Sequence, residues 1–498
     1  MKKTIVILVF IVTTLLSNAQ VDTAIVKGQV HTGNVKTINI EWLEDNPVYD
    51  IQKTYKAHVD SLGQFEFRIP VARVAYGRIA AGRFVHDIAL QPSDNFFADI
   101  SADTVQYFGK GAEKNNFLYF LERKGYQKAN YYTEYNTGQL SLKEFAAKLA
   151  DFRDKRAELL KQYTHSNNKN MGVKAQFRYE NKPLLINVVN KEFINYFTAQ
   201  NQSIYFNLLL GYPQMYAYKN KVDKNSLELP EEYVKYSTFK NLVNDSNVIS
   251  DVYINTMNNL SARKAMDLVK FHKYRPGEQF NPFQTVLCDS LKGKTQEYVL
   301  AYCICSDLAR DKFDSVIYKK YKQIARDPLT TITVKKAYNN FVRKKELVGN
   351  PLTREFIETE FEDTLGNAIS FGKMMDQYKG KVVYLDIWGM YCGPCRALMP
   401  DTKRLKDKLA NQPVEFVYLS IDRKHKNFWT EAVNVTLTNK NHYLLKNGFD
   451  SKFMQFMEIN WVPCFMIFDK VGKLVDFSAP SPYDRDIETK LLKLAQEN

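Results

Sequence analysis

The sequence predicts a multidomain chain, with an N-terminal β-sandwich, an all-α middle region and a C-terminal α/β domain. Three observations lead there. At 498 residues the chain is longer than one hydrophobic core can fill. The apolar pattern alternates up to about Gly111, turns helical from Ala112, and changes again after Gly349-Asn350-Pro351. Finally, Lys381–Pro400 reads K-V-V-Y-L-D-I-W-G-M-Y-C-G-P-C-R-A-L-M-P, an apolar run that ends in a Gly-Pro turn between two cysteines. The expected division is residues 1–19 as a signal peptide, 20–111 as the β domain, 112–348 as the helical domain and 352–498 as the α/β domain.

Met1-Lys2-Lys3 gives a positive start, Thr4–Leu16 an apolar run too short to span a bilayer, and Ser17-Asn18-Ala19 a small-residue cleavage site. These features predict export to the periplasm or cell envelope. An uncleaved N-terminal anchor is the alternative. No cysteine follows the run, which argues against a lipid anchor there. The formal net charge of +14 would fall to about +12 without Lys2 and Lys3, and the remaining bases are interspersed with acids. That pattern reads as a solvated basic surface and excludes a nucleic-acid-binding stripe.

In the β domain, Ile25–Val30, Thr37–Trp42, Lys53–Asp60, Gln64–Ile69 and Phe96–Ile100 alternate in strand fashion. Thr32-Gly33-Asn34 reads as a turn, and Val59–Phe67 as a hairpin tip around Ser61-Leu62-Gly63. His31, His58 and His86 read as surface or packing residues. The domain offers no nucleophile, metal cluster or phosphate loop, so docking or spacing is the role its sequence supports.

The helical region opens clearly at Ser141-Leu142-Lys143-Glu144, a capping box followed by Phe145, Leu149, Phe152 and Leu159 on one helical face. Leu184–Leu210, Glu231–Leu242, Thr295–Ala309 and Thr333–Leu347 continue the pattern. Breaks are expected at Gly211-Tyr212-Pro213 and Tyr274-Arg275-Pro276-Gly277. The many aromatics at helical spacing read as core. Cys288, Cys303 and Cys305 read as small buried hydrophobes, or as a bridge from Cys288 to one of the other two.

In the α/β domain, Phe356–Glu362 and Ala368–Phe371 flank a turn at Asp363–Asn367. Val382–Ile387 suits a strand buried on both faces. The chain can only turn or start a helix from Gly393-Pro394, which puts Cys392 and Cys395 at a helix N-terminus. Backbone N–H groups and the helix dipole there favour a thiolate, and two cysteines at this spacing can close on each other. The pair reads as a dithiol redox centre. Strands at Val414–Ile421, Phe465–Asp469 and Leu474–Phe477, helical segments at Asn427–Val433 and Lys452–Ile459, and a helix from Asp484 complete a mixed α/β layout.

From Phe356 onward the residues resemble a thioredoxin domain of the exported TlpA/ResA/CcmG-type group. Asp386 lies six residues before Cys392 and Trp388 four before it. Cys392-Gly393-Pro394-Cys395 is the redox tetrad, Pro400 falls eight residues after Cys392, and Trp461-Val462-Pro463 matches the cis-proline turn. The longer interval before Pro463 fits that group's extra segment at Asp422–Phe449. A bare C-x-x-C would suit half a zinc site equally well; five positions in order carry the resemblance. Leu90–Asp94 with Gly109–Phe120 more loosely resembles the end of a β domain that often precedes exported thioredoxin-like domains.

The resemblance implies a thiol-disulfide oxidoreductase. Cys392 would attack a substrate disulfide and Cys395 would resolve the mixed disulfide. Asp386 would carry the proton, or else be a structural acid satisfied by local hydrogen bonds. Trp388, Tyr391, Gly393, Pro394, Val462 and Pro463 would bind substrate. The Gly-Pro interior implies a reductant, with exported protein disulfides as substrates, a membrane-borne thiol donor as partner, and no metal, cofactor or nucleic acid. Three departures stand out. Tyr391 replaces a usual tryptophan, and Tyr418 stands where thioredoxin has a lysine beside the acid. Cys464 follows the cis-proline position as either a third thiol or a small core residue. A thiol peroxidase would need a P-x-x-x-T-x-x-C motif that is missing before Cys392. A metal carrier would have to recruit Cys464, His425 or His442. The principal rival reading is a partner- or ligand-binding envelope protein whose redox domain is not its main activity.

Overall fold

The computed structural model describes residues 22–31, 35–44, 46–48, 53–102, 104–166, 189–271, 282–422, 427–438, 440–459 and 461–497. The expected signal peptide, the turn at residues 32–34, the break at residues 274–277 and His425 lie outside them. They form two compact units. One comprises residues up to 45 together with 54–205, and the other comprises 46–53 together with 206–498.

The first unit begins with eight strands: β1 (Asp22–Val30), β2 (Thr37–Glu44), β3 (Lys53–His58), β4 (Gln64–Val71), β5 (Ala75–Ala81), β6 (Phe84–Leu90), β7 (Asn95–Ile100) and β8 (Val105–Lys110). They make two four-stranded sheets, ordered β4-β1-β7-β8 and β3-β2-β5-β6, around one shared apolar core. Strict alternation drives this arrangement. Along β4, Phe65, Phe67, Ile69 and Val71 are buried while the residues between them face water. The β-sandwich expectation therefore holds, with one correction. Asp60–Gly63 does turn the chain, with Asp60 accepting from the Leu62 and Gln64 amides. The flanking strands, however, join different sheets and are not a hairpin. β5, β6 and β8 were not expected, because glycine, alanine and charged residues dilute their β propensity and packing decides instead.

Gly111 ends the strands at φ 89°, where a Cβ would come within 2.0 Å of the Asp94 carboxylate. Asp94 in turn holds the fully buried Lys114 ammonium. Helices α1 (Ala112–Arg123), α2 (Asn130–Thr137), α3 (Leu142–Ser166) and α4 (Lys191–Asn220) follow. The capping box at α3 is formed reciprocally, as Glu144 accepts from the Ser141 amide and hydroxyl while Ser141 Oγ accepts from the Glu144 amide. Contrary to expectation, α4 continues through Pro213. Buried Leu208, Leu209 and Tyr212 hold that turn in place, and Arg263 donates to the Leu210 carbonyl within it. Tertiary contacts thus outweigh a proline penalty of about 3 kcal/mol.

The second unit carries α5 (Glu231–Lys235), α6 (Phe239–Leu242), α7 (Asp251–Phe271), α8 (Pro282–Thr285), α9 (Gly293–Ala309), α10 (Ser315–Ile324) and α11 (Pro328–Leu347). The segment read as one helix over 231–242 is two short ones. Cys288, Cys303 and Cys305 are free thiols, so the bridge does not form. Cys303 and Cys305 are buried in α9 as small apolar residues. No described helix is long and apolar enough to cross a membrane.

After α12 (Arg354–Ile357) the chain builds a seven-stranded sheet. Its strands are β9 (Glu360–Glu362), β10 (Ala368–Ser370), β11 (Val382–Trp388), β12 (Val414–Ser420), β13 (His442–Leu444), β14 (Cys464–Phe468) and β15 (Leu474–Asp476), in the order β10-β9-β13-β12-β11-β14-β15. β11 is parallel to β12 and antiparallel to β14. The interleaved helices are α13 (Phe371–Asp376), α14 (Gly393–Lys408), α15 (Phe428–Thr436), α16 (Lys452–Met457) and α17 (Asp486–Gln496). Every residue of β11 is buried, as a central strand covered on both faces requires. Val383, Leu385 and Ile387 enter one core, and Val382, Tyr384 and Trp388 the other.

Candidate active site

β11 delivers the chain to the site, and α14 carries it away. Met390, in the loop between them, donates its amide to Asp422 Oδ2 at 2.8 Å, and Ser420 Oγ donates to the same oxygen at 2.6 Å. Asp422 therefore anchors the loop that presents the cysteines. The sequence reading missed this role, and an acid just past the end of β12 was its one signal.

Cys392 caps α14 and Pro394 occupies the helix's first turn. Cys392 and Cys395 are joined in a disulfide. Cys392 Sγ also accepts from the Cys395 amide at 3.1 Å and lies 3.7 Å from the Val462 carbonyl oxygen. Cys392 retains 8% exposure and Cys395 1%. Gly393 and Pro394 are exposed beside them, and a Cβ on Gly393 would meet nothing within 4 Å. On the other side, the Val462–Pro463 bond is cis, and the β11–β14 ladder begins one residue later, at Cys464. That leaves the Val462 carbonyl outside the ladder and against Cys392.

Asp386 shares its sheet face with Tyr384 and Trp388, the face that packs against Cys392 and Cys395. It is 97% removed from solvent, and burial raises its carboxyl from the ordinary 3.8 to about 8. Its Oδ1 has no hydrogen-bond partner among the described residues, and neither does Trp388 Nε1. The strand register sets His442, Tyr418, Asp386 and Phe465 side by side across four strands. Tyr418 stacks on His442 with ring centroids 5.2 Å apart. Desolvation is the cause of that upward shift.

Tyr391 is 70% exposed, whereas Trp388 is wholly buried beneath the disulfide. The surface aromatic next to the cysteines is thus Tyr391, and the Trp388 indole supports the site from below. Cys464 pairs with Ile387 and enters the opposite core from Cys392 and Cys395. Burial pushes its thiol up to about 12. It has the environment of a small core residue, not of a third redox thiol. Among the described residues no cluster of His, Cys, Asp or Glu has metal-binding geometry.

The C-terminal part of the chain is similar to known proteins. A family model described as thioredoxin-like matches residues 380–474. A thioredoxin from Coprinus comatus is 28% identical over 58 residues, 12% of this chain, and the chain spans about half (53%) of that curated relative's length. A solution structure of a candidate thiol-disulfide oxidoreductase from Bacteroides vulgatus is 30% identical, with 30% of this chain and 91% of that one covered at a TM-score of 0.25. The thioredoxin domain of a thiol-disulfide oxidoreductase from the same organism is 21% identical, with 29% and 100% covered at 0.25. The C-terminal part of the chain, centred on residues 380–474, is a thioredoxin-like α/β domain.

Proposed function

We propose that the chain is a thiol-disulfide oxidoreductase that reduces disulfides of exported proteins through Cys392 and Cys395. The observation that carries this reading is the joined cysteine pair at the start of α14, set over a buried carboxyl and beside an unladdered carbonyl. In the reduced form, the dipole of the 16-residue α14 and the Cys395 amide stabilise a Cys392 thiolate. The thiolate attacks one sulfur of the substrate disulfide, forms a mixed disulfide and expels the other sulfur as a thiolate, which takes up a proton. Cys395 then passes its proton to the ionised form of Asp386 and attacks Cys392 Sγ, expelling the second substrate sulfur as a thiolate that takes that proton up. Two electrons pass to the substrate, and the Cys392–Cys395 disulfide remains. A thiol donor must return two electrons to that disulfide, and in the envelope a membrane-borne one fits. Both electron pairs reside on sulfur, so the cycle requires no metal or cofactor.

The substrate would lie across Gly393 and Pro394, with Tyr391 on one side and the backbone at Val462–Pro463 on the other, where a peptide can pair in strand fashion. A glutathione redox titration tests the direction of transfer. A potential close to thioredoxin's, about −270 mV, is expected, whereas one near DsbA's, about −120 mV, would refute a reducing role. Cys395→Ser should trap substrates as mixed disulfides on Cys392, and an empty trap in envelope extracts would remove protein disulfides as the substrate.

A further inference from the structure

The helical region ends in α11, and one face of that helix is built against the segment that leads into the substrate edge. Asn340, Arg343, Lys344 and Leu347 recur at the three- and four-residue spacing that aligns side chains along a helix. Asn340 Nδ2 donates to Glu458 Oε1 at 2.5 Å. Arg343 Nη2 donates to the Phe456 carbonyl at 2.5 Å, and its guanidinium lies 4.7 Å from the centre of the Phe456 ring. Lys344 is 97% removed from solvent, with its ammonium 5.0 Å from the centre of the Phe477 ring. Leu347 enters the same core as Cys464 and Phe453, against which Val462 also packs.

These contacts bracket one stretch. Phe456 and Glu458 end α16, and Cys464 begins β14; Val462 and Pro463 lie between. Glu458 adopts the left-handed conformation, φ 50°, that closes α16, with its amide donating to the Gln455 carbonyl and the Ile459 amide to the Met454 carbonyl. The neighbour that reaches its carboxylate is Asn340. The two polar contacts fall on a carbonyl and a carboxylate seven and five residues before Pro463, respectively.

We propose that Asn340 and Arg343 are positioning residues for the substrate edge: by fixing the end of α16 they hold Val462 and Pro463 against Cys392, so the helical region shapes recognition of polypeptide disulfides without touching them. This rests on the oxidoreductase reading above, and it assigns the helical region a task within it.

The test uses the full chain carrying Asn340→Ala and Arg343→Ala together. Reduction of insulin, which needs the edge, is compared with reduction of a small aromatic disulfide, which does not. KM for insulin should rise about fivefold or more, while the small-disulfide rate and the redox potential stay within twofold of the parent. Amide hydrogen exchange across residues 457–466 should quicken as well. Unchanged exchange with unchanged insulin KM overturns the proposal. An equal loss toward both disulfides also overturns it, because that marks general damage to the domain. Should the double variant fail to fold, Asn340→Asp sets two carboxylates against each other while keeping side-chain size, and the same readouts apply. If the parent chain reduces neither disulfide, the oxidoreductase reading fails, and exchange across residues 457–466 alone still decides whether α11 fixes the edge.

Discussion

Asp386→Asn gives the sharpest test of the buried carboxyl. Burial holds the Asp386 proton in the folded chain until about pH 8, whereas in the unfolded chain it leaves near 3.8. The sign follows directly. Between those values the unfolded state has lost a proton that the folded state keeps, so the folded state loses relative stability as pH rises, and the loss is complete above about 8. Each pH unit is worth about 1.4 kcal/mol, so the three units from pH 5 to 8 set a ceiling of about 4 kcal/mol. Relaxation around a buried charge lowers this, and about 2–4 kcal/mol is the expected range. Asparagine cannot ionise, and its own packing cost is nearly independent of pH. Urea unfolding of the oxidised protein at pH 5 and pH 9, followed by tryptophan fluorescence in a Trp42→Phe background that leaves Trp388, Trp429 and Trp461 to report on the C-terminal domain, measures the double difference. The parent should lose about 2–4 kcal/mol more than Asp386→Asn over that interval. Parallel profiles, within about 0.5 kcal/mol, would mean that the carboxyl is not held neutral, and the proton-transfer role would fall with it.

Three further outcomes are expected. Tyr418→Lys places a cation beside Asp386 in the strand register and should lower the carboxyl's titration by about a unit or more; a rise in insulin reduction is expected as Asp386 ionises near pH 8, and it would move to lower pH by the same amount. Cys464→Ala should leave reduction kinetics within about twofold of the parent, and in the parent Cys464 should resist iodoacetamide at pH 8 in the folded state, because burial holds its thiol near 12; fast labelling there would refute its placement. Asp94→Asn strips the buried Lys114 of its carboxylate and should cost the β domain about 3–5 kcal/mol in urea unfolding, whereas a change under about 1 kcal/mol would show that water reaches the pair.

What could be read from sequence follows from where the determining forces act. The C-terminal site is written locally: a buried strand, a turn and a helix start fall within twenty consecutive residues, so the placement of Cys392, Cys395 and Asp386 at one strand–helix junction could be read without coordinates. Alternation likewise revealed β1, β2, β4 and β7, whose inward residues are uniformly apolar. β5 and β6 were missed because Gly77, the alanines and the His86-Asp87 pair acquire their strand character only from neighbours. The same holds at Pro213, where a local breaking signal yields to packing around Tyr212. The clamp formed by Asn340 and Arg343 had no local signature, since its partners lie more than a hundred residues away. Long-range polar contacts of this kind leave no periodicity to detect.

The alternation of the central sheet has an implication for how the chain acquires its single bridge. Once β11 and β14 have paired, the backbone stands as a partition between Cys464 and the two reactive sulfurs, and mispairing is closed off by geometry, whatever the ambient oxidant. Before that pairing nothing separates them. Oxidative refolding of the denatured, reduced chain should therefore generate wrong bridges to Cys464 only at its earliest times, and a slow oxidant, by letting the sheet assemble first, should raise the yield of correctly bridged protein.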